Sequence, residues 1–194
     1  MTMGELMTEG VVTQKVADLG INGWQDLVSW VRALPYGRNK QRGNPLLVLE
    51  ERKGSCSTKH ALLKLFAEEN GFLDIKLMVG IYKMNPHNTP EAKDVLLSCG
   101  LAYLPEAHCY LKKGEQRIDA TKPFFDIAQF EQDILEEIEI NVEQIADYKV
   151  SMHRDFLKKW SKENAIHLEF QQVWEIREKC IEKLVENQPL NLQP

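Results

Sequence analysis

The chain of 194 residues lacks several things. No apolar run approaches the length that crosses a bilayer, so a membrane-spanning role is not expected. Met1 to Gly20 mixes polar, acidic and apolar residues without a continuous apolar stretch, and no targeting segment is read there. There is no basic excess: 24 Lys and Arg stand against 29 Asp and Glu, giving a net charge of −5. Nucleic acid, which needs a basic face, is not an expected partner. The four cysteines, Cys56, Cys99, Cys109 and Cys180, form no C-x-x-C pair. A chain this long does not need disulfide staples, so free thiols in a reducing cytoplasm are expected. Internal repeats and low-complexity segments are also missing.

Hydrophobic residues make up 43% and charged residues 27%, a globular composition. One undivided domain is expected over 1–194, with a core at about 22–125 and a mainly helical extension over 126–194. Trp24, Leu27, Val28, Val31 and Leu34 share a helical face, with Asn22 placed to cap and Pro35 to stop. Tyr36 to Pro45 reads as a loop, Leu46 to Glu50 as an apolar turn or short helix. Cys56 opens a helix that Ser55 or Ser57 can cap and Gly71 can end, with Ala61, Leu62, Leu65 and Phe66 facing the core. Asp74 to Tyr82 alternates like a strand, and Val95 to Leu104 suits another. Ala107 to Leu111 and Gln116 to Ala120 read as a hairpin around Lys112-Lys113-Gly114-Glu115. Asn141 to Asn164 and Phe170 to Asn187 show helical periodicity. The acidic run Glu131, Asp133, Glu136, Glu137, Glu139, Glu143 and Asp147 reads as a solvated face, with a basic partner as the second reading.

The run Gly54-Ser55-Cys56-Ser57-Thr58 offers a cysteine at a helix start, and Ala107-His108-Cys109 and Ile118-Asp119-Ala120-Thr121 offer a histidine and an aspartate on adjacent strands. A thiol nucleophile needs these parts. Unpaired N–H groups at a helix N-terminus favour the thiolate. A histidine takes its proton, and a carboxylate fixes the histidine's tautomer. Neighbouring antiparallel strands bring paired positions within reach, and the Cys56 N–H is a candidate oxyanion donor.

The order Cys, His, Asp, the G-x-C helix opening, and a histidine strand that turns into D-x-T resemble the transglutaminase-like superfamily of papain-type cysteine enzymes. The resemblance covers roughly 22–125 and includes the preceding helix and loop, Trp24 to Tyr36. Where the family carries D-P-T this chain has Asp119-Ala120-Thr121. The aromatic residues many members place near the histidine and aspartate are replaced by Cys109-Tyr110 and Gln116-Arg117-Ile118. The resemblance implies an α+β papain-like core, with the Cys56 helix packed on a small antiparallel sheet and a helical C-terminal extension outside that core. It implies Cys56 as nucleophile, His108 as general base and acid, Asp119 as orienter and Trp24 as the side-chain oxyanion donor, with Trp30 nearby as the alternative.

Other readings compete. Cys56, His60, His108 and Cys109 can be imagined around zinc, but no supporting ligand pair accompanies them, and neither metal nor cofactor is expected. His60 reads as a helix-surface or packing residue that can also line the cleft. His87, His153 and His167 read as surface residues; Cys99, Cys109 and Cys180 as packing residues; Trp160 and Trp174 as core. Three functions follow. The first is a cysteine peptidase, amidase or transglutaminase acting on a peptide or protein amide, with hydrolysis favoured because no calcium-loop pattern is present. The second is an inactive transglutaminase-like module that binds a protein through its acidic and helical C-terminal region. The third is acyl transfer from a thioester donor, for which no coenzyme A segment stands out.

Overall fold

In the computed structural model, which describes residues 10–123 and 126–188, alternation of apolar side chains sets a small sheet. In β1 (Ile75–Met84), Leu77, Val79 and Ile81 join one apolar cluster while Met78, Tyr82 and Met84 join another. Successive strand residues face opposite ways, so both faces of the sheet are covered. β1 pairs antiparallel with β2 (Leu104–Lys113) along its whole length. β3 (Gln116–Ile118) turns back after Gly114 and pairs only with Leu111 to Lys113. β4 (Ile134–Glu139) flanks β1 on the other side, giving the order β3-β2-β1-β4. Because β3 is short, no strand among the described residues lies on the other side of β2, away from β1, from Leu104 to Tyr110. That free edge carries Glu106 and His108.

Among the described residues eight α-helices surround the sheet: α1 (Val11–Asp18), α2 (Trp24–Ala33), α3 (Leu47–Glu51), α4 (Cys56–Glu69), α5 (Lys93–Ser98), α6 (Ile127–Asp133), α7 (Asp147–Glu163) and α8 (Phe170–Glu186), with 3-10 turns at Pro90–Ala92 and Val142–Gln144. Leu62, Leu63 and Phe66 of α4 are fully buried in the cluster that also holds Leu27 and Val31 of α2 and Leu77 and Val79 of β1. Burying each such side chain is worth roughly 1.5–3 kcal/mol, so α4 is anchored mainly by packing. Helix α4 is also buried on its polar side, through Ser57, Thr58, Lys59 and His60. The opposite sheet face is covered by Phe130, Leu157, Trp160 and Val173. No helix among the described residues is long and apolar enough to cross a membrane.

Two glycines keep this arrangement closed. A Cβ on Gly80, which pairs with His108, would lie 3.1 Å from Tyr110 and 3.2 Å from Phe130. Those rings pack around His108. A Cβ on Gly54 would lie 2.9 Å from both Lys59 and Val48, so the glycine of the G-x-C opening lets the chain pass close against the first turn of α4.

Several elements differ from the sequence expectation. The Val95 to Leu104 segment is helix α5 followed by a turn, and the strand begins only at Leu104. The acidic run contains β4, whose Glu137 receives Arg117 and Tyr110 and whose Glu139 pairs with Lys76, so it is not simply a solvated face. The cap of α2 is Gly23, and Asn22 instead donates to the Gly20 carbonyl. His153 is buried, not on the surface, whereas Cys99 is exposed and not a packing residue. The segment after residue 126 adds β4 to the sheet, so the sheet extends past the expected core boundary. The final residues of the expected extension, 189–194, lie outside the described residues.

Candidate active site

Ser55 starts the site. Its side chain caps α4 by accepting from the Thr58 N–H, and the Thr58 hydroxyl accepts from the Ser55 N–H. Asn39 fixes this turn from the preceding loop by accepting from Thr58 Oγ1 at 2.7 Å. Cys56 is therefore held at the first helical position, where unpaired N–H groups and the helix dipole favour a negative sulfur.

His108, on the free edge of β2, hydrogen-bonds the Cys56 thiol. Its Nε2 is 2.5 Å from Asp119 Oδ2, which leaves Nδ1 for the sulfur. The loop after β3 fixes Asp119. Arg32 donates to the Asp119 carbonyl at 3.0 and 2.7 Å, and the Thr121 N–H donates to Asp119 Oδ1 at 2.7 Å. Lys59, fully buried, donates to the Leu34 and Thr121 carbonyls at 2.7 and 2.9 Å. His60 pins the same loop to α4: its Nδ1 lies 2.8 Å from the Cys56 carbonyl, and its Nε2 accepts from the Ala120 N–H at 2.8 Å. Both ring nitrogens are thus engaged, so His60 has no lone pair to offer a metal.

Two further neighbours of Cys56 act on its sulfur. Lys149, from α7, places Nζ 3.5 Å from Cys56 Sγ and 2.9 Å from Ser57 Oγ. Cys109, beside His108, donates to Ser57 Oγ at 3.5 Å and hydrogen-bonds Cys56. These contacts set the acid–base order of the site. The Cys109 hydrogen bond lowers the Cys56 thiol pKa most; burial opposes it, and Lys149 and His108 add to the lowering, leaving it well below the ordinary thiol range. Cys109, by contrast, is held up by its burial and stays a thiol. Burial acts to lower the pKa of His108, but the Asp119 carboxylate outweighs it and, with Cys56, pushes it up to about 10. Both shifts favour a thiolate beside an imidazolium.

Cys56 sits where two hollows meet. One is a groove of ≈ 680 Å³ lined by His108, Tyr82, Glu91, Thr121, Ile181 and Leu184 among others. Glu91 Oε2 and Thr121 Oγ1, from residues that line it, are buried with no hydrogen-bond partner among the described residues. The second is a smaller cavity of ≈ 70 Å³ on the Lys149 side. The structure does not bring Trp24 to the site. Its ring stacks on Phe66 and meets the edge of Phe72, at the far end of α4. Ten residues of helix separate Phe66 from Cys56, about 15 Å of axial rise. Trp30, the alternative, carries Arg52 over its ring. The Cys56 N–H lies at the helix N-terminus, where the sequence expectation puts an oxyanion donor, and Lys149 brings a cation to 3.5 Å from the sulfur.

Comparison with protein-family models, with curated proteins and with solved structures finds no match.

Proposed function

We propose that the protein is a cysteine-dependent acyl-transfer enzyme of the transglutaminase-like, papain-type class, acting on a peptide or protein amide. The observation that carries this reading is a cysteine at a capped helix N-terminus, hydrogen-bonded by a histidine that is itself held by an aspartate, at the wall of an open groove. The papain-like assignment of the core is supported by the same order of parts: cysteine helix, histidine strand, short turn, aspartate.

In the proposed reaction the Cys56 thiolate attacks the amide carbonyl carbon and a C–S bond forms. The carbonyl oxygen becomes an oxyanion facing the Cys56 N–H and the α4 dipole. The His108 imidazolium gives its proton to the leaving nitrogen, and the C–N bond breaks. His108, now neutral, takes a proton from water as the water oxygen attacks the thioester. The C–S bond then breaks, releasing a carboxylic acid, which gives its proton to solvent, and restoring the ion pair. An amine in place of water gives transfer instead; hydrolysis is the reading kept here.

The test is the pH dependence of alkylation by limiting iodoacetamide, mapped to each cysteine. Exposed Cys99 serves as the reference thiol. Cys56 is expected to react ahead of Cys99 at pH 6 and to hold a plateau until His108 loses its proton near pH 10. His108→Ala removes the low-pH advantage, and Cys56→Ala abolishes amide turnover in a peptide screen. Cys56 reacting no faster than Cys99 at pH 6 would sink the proposal and favour a binding module.

A further inference from the structure

The smaller cavity beside Cys56 carries a charge pattern that acid–base chemistry at the thiol does not need. Ser55, Cys56 and Ser57 bring the N-terminus of the fourteen-residue α4 to its wall. Arg38, Arg42, Lys149 and Arg177 also line it. Two carboxylates answer these four cations. Arg177 holds Glu106 at 2.5 and 2.7 Å and Glu178 at 2.7 Å, and Arg38 holds the same Glu178 at 2.6 Å. Lys149 is engaged with Ser57 and Cys56. His153 adds no charge: burial keeps its pKa low, and its Nε2 lies 2.9 Å from the Pro105 carbonyl. Arg42 has no hydrogen-bond or ion-pair partner among the described residues. It stands exposed at the rim, its pKa lowered by burial and by the like charges of Arg38 and Arg177.

We propose that this cavity is an anion subsite in which Arg42, backed by Lys149 and the α4 N-terminus, holds a carboxylate of the substrate next to the bond that Cys56 attacks. Four cations against two carboxylates and the Cys56 thiolate leave one positive charge in excess, that of Arg42, within reach of an entering group, and a guanidinium at the rim matches a carboxylate in a bidentate fork. Room for a few waters suits a carboxylate and not a bulky side chain. The substrate class is therefore an acidic amide, with its apolar portion in the larger groove. This rests on Cys56 being the nucleophile.

Two reagents of equal reach and opposite demand test it. Iodoacetate carries a carboxylate and iodoacetamide does not. At pH 7 the iodoacetate-to-iodoacetamide rate ratio at Cys56 should exceed that at Cys99 by about fivefold or more, and Arg42→Gln should lower the Cys56 ratio about 3–10-fold. The thiolate–imidazolium pair also favours the anionic reagent, so the Arg42 variant is what decides. A fast reaction with iodoacetamide whose ratio does not respond to Arg42→Gln overturns the subsite and leaves the nucleophile standing. Should Cys56 resist both reagents, the nucleophile reading falls, and succinate titrated into the Cys56→Ser protein reads the subsite directly. Binding weakened about fivefold or more by Arg42→Gln supports an anion site there; absence of binding removes it.

Discussion

A buried lysine 3.5 Å from the Cys56 sulfur changes what that sulfur is. Cys56 has Cys109, Lys149 and His108 around it, and each favours the thiolate against the cost of burial. His108 loses its own proton only near pH 10, so the acid limb of any activity profile belongs to Cys56 and the alkaline limb to His108. Cys56 has a depressed pKa, so its reactive form is present above that pKa and is lost as pH falls through it. Replacing Lys149 by methionine keeps the volume and removes the charge. We expect the acid limb of Cys56 alkylation to move up by about one pH unit, roughly tenfold less labelling at pH 6, with little change near pH 9. Alkylation rates across pH 5 to 10 on the two proteins check this; an unmoved acid limb means Lys149 is only a packing residue. The histidine and aspartate were legible because 52 and 63 positions after the cysteine they sit in a local strand–turn–strand pattern. Lys149 and His153 were not, because in the sequence they are ordinary polar positions of an amphipathic helix. Only the docking of α7 over β2 turns them inward.

Helix α4 is the element the sequence announces most clearly, and its start positions the chemistry. Ser55, Thr58 and Asn39 together hold the first turn. Ser55→Ala removes one cap acceptor and should cost about 1 kcal/mol, a melting-temperature fall of about 2–4 °C for a chain of this size. Calorimetry reads it, and an unchanged midpoint would show that Thr58 and Asn39 hold the turn without Ser55. Two other elements hid their type. Val95, Leu96 and Leu97 form an apolar run too short to separate a strand from a helix by period. Here Leu96 buries as part of one helical turn, and Gly100, at φ +68°, turns the chain out of it. In β4 the glutamates suggest a helix or a solvated face, since Glu is depleted in strands. Lys76 on the adjoining β1 pairs with Glu139, Lys112 of β2 and Arg117 of β3 reach Glu137 across the sheet, and these ion pairs outweigh the weak propensity.

At the scale of the whole molecule, the C-terminal end of the described chain lies over the site. Helix α8 lays Ile181 and Leu184 along the groove, and just beyond its end Gln188 reaches Tyr36. The Gln188 amide takes both hydrogen-bonding groups of that residue: its oxygen accepts from the Tyr36 N–H at 2.5 Å, and its nitrogen donates to the Tyr36 carbonyl at 2.8 Å. The flanking residues are committed elsewhere, with the Gly37 N–H donating to the Gly54 carbonyl and the Gly54 N–H to the Pro35 carbonyl. A side-chain carboxamide offers the same donor and acceptor as a peptide group, so Gln188 holds the positions that an extended peptide would use beside Cys56. The C-terminal segment is thus a wall of the groove as well as the source of Lys149 and Arg177. Gln188→Ala should open that wall. A bulky maleimide–polyethylene glycol reagent should then label Cys56 about 3–5-fold faster, while the rate with small iodoacetamide changes less than twofold. Equal acceleration of both reagents would point to loosening of the whole fold. No change with the bulky reagent would show that entry to Cys56 lies along the Glu91 and Thr121 side, away from Gln188.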